Sequence, residues 1–253
     1  MYAEERQHSV LQRARAEGRV DVAVLAAEFE VTYETVRRDL TALERRGVLR
    51  RVHGGAIPVE RLGFEPALTV RDNVMTAEKE RIAKAALAEV PDEGAIFLDA
   101  GSTTGRLAER LPADRELTVV TNSLSIVSVL TSRSNINLLV IGGRLRPRTQ
   151  ATVDAWALRV LEETYVDVAF MATNGLSVER SATTTDTAEA MVKRAMVRAA
   201  RRVVLLADHT KIGNDHFTRF AGLDDFDALI TDTGLDEGLA EEIRALGPRV
   251  VLA

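Results

Sequence analysis

Between Arg37 and Arg51 the chain carries six arginines against two carboxylates, Asp39 and Glu44. Guanidinium is planar and permanently charged, and its paired N–H groups match phosphate oxygens and the O6/N7 edge of guanine. Residues 1–57 hold ten arginines, no lysine and nine acids, a net of +1, while the remainder holds 23 basic and 29 acidic side chains, a net of −6. A chain whose total charge is −5 thus keeps one cationic patch, the distribution expected of a nucleic-acid reader.

A second set of residues suits anion chemistry. Five apolar runs end in small and polar residues: "LDAGSTTG", "VVTNS", "VIGGR", "MATNG" and "LADHTKIG". In the first, Asp99 closes the run and Gly101, Ser102, Thr103 and Thr104 open the next helix. Free backbone N–H groups there, with Ser and Thr hydroxyls, make an anion site. Asn122, Gly143, Arg144 and Asn174 occupy the matching ends of the other runs. The lysines are Lys79, Lys84, Lys193 and Lys211. Lys211, just past its run, is placed to reach a ligand; Lys193 lies within a helix and reads equally well as a solvated lysine. Glycine patterns for dinucleotides or nucleoside triphosphates are missing.

The elements that must position these groups are legible in outline. "RQHSVLQRARAEG" reads as a helix with Val10, Leu11 and Ala14 inward, ended by Gly18. "DVAVLAAEFE" reads as a second, with Val22, Leu25, Ala26 and Phe29 inward. Thr32 is a good N-cap for a third helix from Tyr33, with Glu34 in its first turn. Val36, Leu40 and Leu43 form its apolar stripe, and Gly47 stops it. "VLRRVHGGA" then alternates around a Gly-Gly turn, as a hairpin does. This order is a winged helix-turn-helix. Its third helix presents Thr32, Tyr33, Glu34, Thr35, Arg37 and Arg38 to the major groove, and Arg50 and Arg51 belong to the wing.

Residues 58–75 mix Pro, Gly and charge and read as a linker. From 76 to 253 short apolar runs alternate with amphipathic helices, which predicts an α/β domain with a parallel sheet covered on both faces. Ligands in such sheets bind at the carboxyl ends of the strands. One helix is expected over "TAEAMVKRAMVRAA", capped by Asp186 with Glu189 three residues on.

These segments resemble the DeoR-type bacterial transcription regulators. Thr35, Val36, Arg37, Arg38, Asp39 and Leu40 match the family's recognition-helix core; Arg51, His53, Gly54, Gly55 and Ala56 match its wing. "FLDAGSTT", "VVTNS", "IGGR", "TNGLS", "TTTDTAEAMVKRAM" and "VVLLADHTKIG" resemble its sensor domain, so the likeness spans nearly the whole chain. It implies a sensor of the ribose-5-phosphate isomerase and acyl-coenzyme A transferase fold, double-stranded operator DNA as partner, and repression relieved by a phosphorylated sugar. The run as a whole is most similar to actinobacterial regulators of fructose and other phosphotransferase sugars, which implies fructose 1-phosphate or a related ester. A homo-oligomer, dimer or tetramer, is expected because one small reader rarely binds DNA tightly enough alone.

Composition narrows the rest. With no cysteine, disulfides, thiolate zinc sites and a cysteine nucleophile are excluded. His8, His53, His209 and His216 are too scattered for a metal site, and no cofactor is expected. The charged N-terminus and short apolar runs argue for a cytoplasmic protein without a membrane partner. The competing class is a sugar-phosphate isomerase using Asp99, Glu189, Asp208 or Lys211 as acid–base groups. An N-terminal DNA reader has no use on such an enzyme, so no catalytic residue is assigned.

Overall fold

Helix α1 (Ala3–Glu17), strand β1 (Val20–Asp21), helices α2 (Val22–Glu28) and α3 (Tyr33–Arg45), and strands β2 (Leu49–Val52) and β3 (Gly55–Pro58) succeed one another at the start of the chain. The computed structural model describes residues 3–45, 48–52, 54–58 and 65–253. The expected stop at Gly47, the wing residue His53 and residues 59–64 of the expected linker lie outside the described residues. The chain divides into two units, Met1–Pro66 and Ala67–Ala253.

In the first unit each helix boundary has a local cause. Gly18 ends α1 in a left-handed conformation, φ 81°, its N–H donating to the Ala14 carbonyl at 2.8 Å. The Asp21 carboxylate caps α2 by accepting from the Ala23 N–H at 2.7 Å. Thr32 Oγ1 accepts from the Thr35 N–H at 3.2 Å and so caps α3. Val10, Ala14, Leu25, Ala26, Val36, Leu40 and Leu43 close one small core beneath an antiparallel sheet of order β1-β3-β2. Gly55 permits that sheet: a Cβ there would lie 1.9 Å from the Val20 carbonyl oxygen.

The second unit begins with α4 (Leu68–Asp72) and α5 (Thr76–Ala86), then β4 (Gly94–Leu98), α6 (Ser102–Arg110), β5 (Leu117–Thr121), α7 (Leu124–Leu130) and β6 (Ile136–Val140). A hairpin of β7 (Arg144–Arg146) and β8 (Ala151–Val153) leads to α8 (Ala155–Glu162) and β9 (Val166–Ala172). After β10 (Gly175–Ser177) and β11 (Ser181–Thr184) come α9 (Thr187–Arg198), β12 (Ala200–Leu206), β13 (Thr218–Ala221), β14 (Ala228–Thr231), α10 (Glu237–Ala245) and β15 (Arg249–Leu252). Seven strands form one sheet of order β15-β14-β12-β9-β4-β5-β6, parallel throughout.

Both faces of that sheet are buried along its central strands, which are nearly continuous apolar runs. Ile96, Leu98, Phe170 and Val204 pack with side chains of α5, α6 and α7. Phe97, Met171 and Leu205 pack on the other face with α8, α9 and α10. The alternation along β4, with Ile96 and Leu98 on one face and Phe97 on the other, is the two-residue period of a strand. The end of the stretch read as linker is ordered: Leu68 is buried and its N–H donates to the Arg148 carbonyl, tying α4 to the second unit. The β7–β8 hairpin and the small sheet β10-β11-β13 had no distinct sequence signal, being short and rich in Thr, Ser and Arg.

Candidate functional site

The reading face of the first unit is built on α3. Its apolar stripe faces the core, and Tyr33, Glu34, Arg37, Arg38 and Arg45 stand exposed, with Thr35 half-buried behind them. Glu34, Arg37, Arg38, Thr41, Arg45 and Arg51 line one open groove. Arg37, Arg38 and Arg45 have no ion-pair partner among the described residues, so their charge is available to an outside anion. Arg51 differs. Its backbone N–H donates to Glu44 Oε1 at 2.9 Å, and its guanidinium donates to Thr41 Oγ1 at 3.3 Å. The wing strand β2 is thereby clipped to the recognition helix. Arg50 is exposed on the same strand.

Asp39, inside the arginine run, does another job. It is buried, its Oδ2 accepting from Arg6 Nε at 2.5 Å and its Oδ1 from Gln7 Nε2 at 3.0 Å. The pair fixes the angle of α3 against α1. Sequence spacing hinted at this, since Asp39 lies beside Leu40 and Val36 on the inward side.

In the second unit the strand ends bring Asp99, Gly101, Ser102, Thr103, Thr104, Asn122 and Lys193 together. Asp99 is buried, its Oδ2 accepting from the Ala172 N–H at 3.0 Å and from the Lys193 ammonium. Lys193, also buried, donates to the Ala172 carbonyl at 3.0 Å and stands over the Phe220 ring at 5.5 Å. Of the two readings of Lys193, ligand-facing or solvated, the solvated one is overturned: the side chain is buried as the counter-ion of Asp99. The other oxygen, Asp99 Oδ1, is buried without a hydrogen-bond partner among the described residues.

Beside this pair, α6 starts at Ser102 with Gly101 as its N-cap, and no side chain caps it. Glycine is required there, because a Cβ would sit 2.6 Å from that of Ala172. Thr104 is buried and braces the turn by donating to the Asp99 carbonyl at 2.7 Å. Ser102 is half-buried, leaving its hydroxyl and the first-turn amides as donors. Asn122 serves as a strut, its Oδ1 accepting from the Ala100 N–H at 3.2 Å and its Nδ2 donating to the Thr152 carbonyl at 3.2 Å.

Four further residues find different places. Gly143 packs its backbone against Val153. Arg144 stays outside this cluster: it is exposed and held by Asp154, with 2.5 Å from Nε to Oδ2. Asn174 Oδ1 accepts from Thr184 Oγ1 at 2.8 Å in the loop after β9. Lys211 is half-buried in the turn after β12 and lies within electrostatic reach of Lys79.

Residues outside the expected effector set also take defined roles. Lys79, in the first turn of α5, is buried and donates to the Arg71 and Val74 carbonyls, the second at 2.7 Å. Burial lowers its pKa to about 8, partly offset by the nearby Asp208 carboxylate and reinforced by Lys211. On α9 the expected cap is present, Asp186 accepting from the Ala188 and Glu189 N–H groups at 2.9 and 3.0 Å. Glu189 does not close a capping box. Its carboxylate takes the Arg146 guanidinium and the Thr149 hydroxyl instead, on the same buried helix face as Lys193. His209 Nδ1 lies 2.7 Å from Asp232 Oδ2; burial alone would raise that carboxyl, and the His209 hydrogen bonds hold it below its ordinary value.

An exposed arginine face on a winged unit, joined in one chain to an α/β unit with a polar, charged cluster along its strand ends, defines a transcription regulator that senses a small molecule. Residues 6–61 match the DeoR-like helix-turn-helix domain, and residues 74–233 match the DeoR C terminal sensor domain. The chain belongs to the DeoR family of transcriptional regulators.

Its relatives agree. The HTH-type transcriptional regulator GlpR of Haloferax volcanii is 40% identical over 86% of this chain and 85% of its own. An HTH-type regulator of Bacillus subtilis, FruR, is 31% identical over 92% of each. A putative aga operon transcriptional repressor of Escherichia coli O157:H7 is 28% identical over 98% of this chain and 93% of its own. Among solved structures, ribose 5-phosphate isomerase A of Methanocaldococcus jannaschii aligns over 53% of each chain at 18% identity, TM-score 0.39. The protein is a regulator rather than an isomerase: its helix-turn-helix domain binds DNA and its sensor domain takes a small-molecule effector. No helix among the described residues is long and apolar enough to cross a membrane.

Proposed function

We propose that this regulator is a repressor of sugar-utilisation genes in the cytoplasm, holding its operator as a homo-oligomer and released by a phosphorylated sugar such as fructose 1-phosphate. The observation that carries the reading is the start of α6, where a glycine cap leaves first-turn amides without a side-chain acceptor, next to the unpartnered Asp99 Oδ1. An uncapped helix N-terminus favours a phosphate, and a buried carboxylate oxygen without a donor favours a hydroxyl. Lys79 and Lys211 supply cationic character to the same sensor unit. The relatives include proteins named as repressors, which supports repression over activation.

Release follows if the ester binds more tightly to a state in which the paired readers no longer match their half-sites. The test is a fluorescence-anisotropy titration on the DNA upstream of the protein's own gene. Fructose 1-phosphate is then added, with fructose 6-phosphate, fructose 1,6-bisphosphate and ribose 5-phosphate in parallel. Release by micromolar fructose 1-phosphate is the expected result; release by another of the esters moves the effector, and indifference to all four removes the sugar-phosphate reading. Replacing Ser102 and Thr103 by alanine weakens release while leaving operator affinity intact.

A further inference from the structure

Helix α8 reads AWALRVLE. A helix apolar on nearly every side belongs in an interior, yet only Ala157 and Leu161 are buried. On its outer side Trp156 is 78% exposed and Val160 47%. Trp156 is the chain's single tryptophan. Arg159 and Glu163 share that outer face at i+3 and i+7 from Trp156, the spacing of one helix stripe.

The helix forms a ridge between two grooves. One is lined by Gly142, Trp156, Arg159 and Val160. The other runs between α8 and α9, where Tyr165, 78% exposed, and Met191, 51% exposed, flank Arg194 and Arg198. A ridge beside a groove of similar apolar character is self-complementary, which is what a two-fold interface requires.

We propose that a second copy of this chain docks here, α8 against α8 about a two-fold axis. This rests on the reading of the regulator as a homo-oligomer and names the surface that joins it. Charge selects the partner. In an antiparallel pair, Arg159 of one copy approaches the acidic end of the other copy's helix, Glu162 and Glu163, and the arrangement repeats by symmetry. Size agrees as well. Each aromatic buries roughly 150–250 Å² when covered, so Trp156 and Tyr165 with Val160 and Met191 supply much of the ~800 Å² per partner of a standard interface.

The full chain tests this without modification, because Trp156 is its sole indole. Mass by light scattering is followed over a dilution series together with iodide quenching of tryptophan emission. Oligomers should shield Trp156, and dilution should expose it in step with the fall in mass. Val160→Glu, at a site already half-open to solvent, should give a folded monomer, checked by circular dichroism, with Trp156 exposed at every concentration. Arg159→Cys, in a chain with no other cysteine, should crosslink with a short bis-maleimide, whereas Glu242→Cys on α10 should not. An oligomer in which iodide still reaches Trp156, or one unchanged by Val160→Glu, overturns the assignment, as does a wild type that stays monomeric throughout. Operator anisotropy on the same samples separates the two readings: operator binding and release with Trp156 open removes this interface and leaves the repressor standing.

Discussion

The two functional regions hold their charges in opposite ways. On α3, Arg37, Arg38 and Arg45 stand in solvent without an ion-pair partner among the described residues. At the sensor's strand ends the charges are inside and matched, Lys193 with Asp99 and Arg146 with Glu189. An exposed cation awaits a polyanion and contributes little to folding. A buried pair is costly to form and costlier to break. The reading face can therefore lose an arginine and keep its shape, while the sensor cannot lose one of its paired charges so cheaply.

The sharpest way to break this contrast is Lys193→Met. It strands Asp99 in the interior and should lower the stability of the sensor unit by about 3–5 kcal/mol, read by urea denaturation. A loss below ~1 kcal/mol would show that the pair is not internal in solution. Next comes a comparison of neighbours on one helix. Asp39→Ala removes a buried partner of Arg6 and should destabilise the first unit by about 3 kcal/mol. Arg38→Ala should leave the unfolding midpoint within ~0.5 kcal/mol and cost roughly 1–3 kcal/mol of operator binding if it reads a base. Equal effects of the two on folding would erase the distinction.

Smaller effects sharpen it further. Lys79, with a pKa of about 8, is cationic at pH 7 and largely neutral at pH 9. Phosphate esters, with a second pKa near 6, stay dianionic across that range. Effector affinity should fall by up to about tenfold between those pH values, measured by calorimetry with matched buffer ionisation. Stability moves the other way. The folded pKa lies below the ordinary 10.5, so the unfolded chain binds the proton more readily between about 8 and 10.5, and stability rises with pH across that window. The smallest change belongs to Arg45→Ala, which should flatten the salt dependence of operator binding by about one unit of slope. A slope unchanged would take Arg45 off the phosphates.

What was legible in the sequence follows the same division. Exposed chemistry declares itself by type and spacing, so the arginine face, the Thr32 cap and the Val36–Leu40–Leu43 stripe all read correctly. The strand ends were legible too, because a parallel sheet forces polar residues to one edge. Which polar residues bond to one another was not. Lys193 finds Asp99 across 94 residues and Thr149 finds Glu189 across 40. Such pairings are set by the crossover order of the strands, which leaves no local pattern. Glu189 shows how a local rule misleads: its spacing from Asp186 suits a capping box, but the half-buried Arg146 is the better partner. Likewise Arg144 and Arg146 are alike in sequence and two apart on β7, and only their partners distinguish them, Asp154 for the first and Glu189 for the second.

The clip between wing and helix bears on the entropy of recognition. A long side chain that must be immobilised on binding loses on the order of 0.5–1.5 kcal/mol. Arg51 meets part of that loss when the unit folds, since its guanidinium already donates to Thr41 while Glu44 holds its backbone N–H. The wing and the recognition helix therefore approach DNA as a single preformed surface, with a fixed distance between what each can touch.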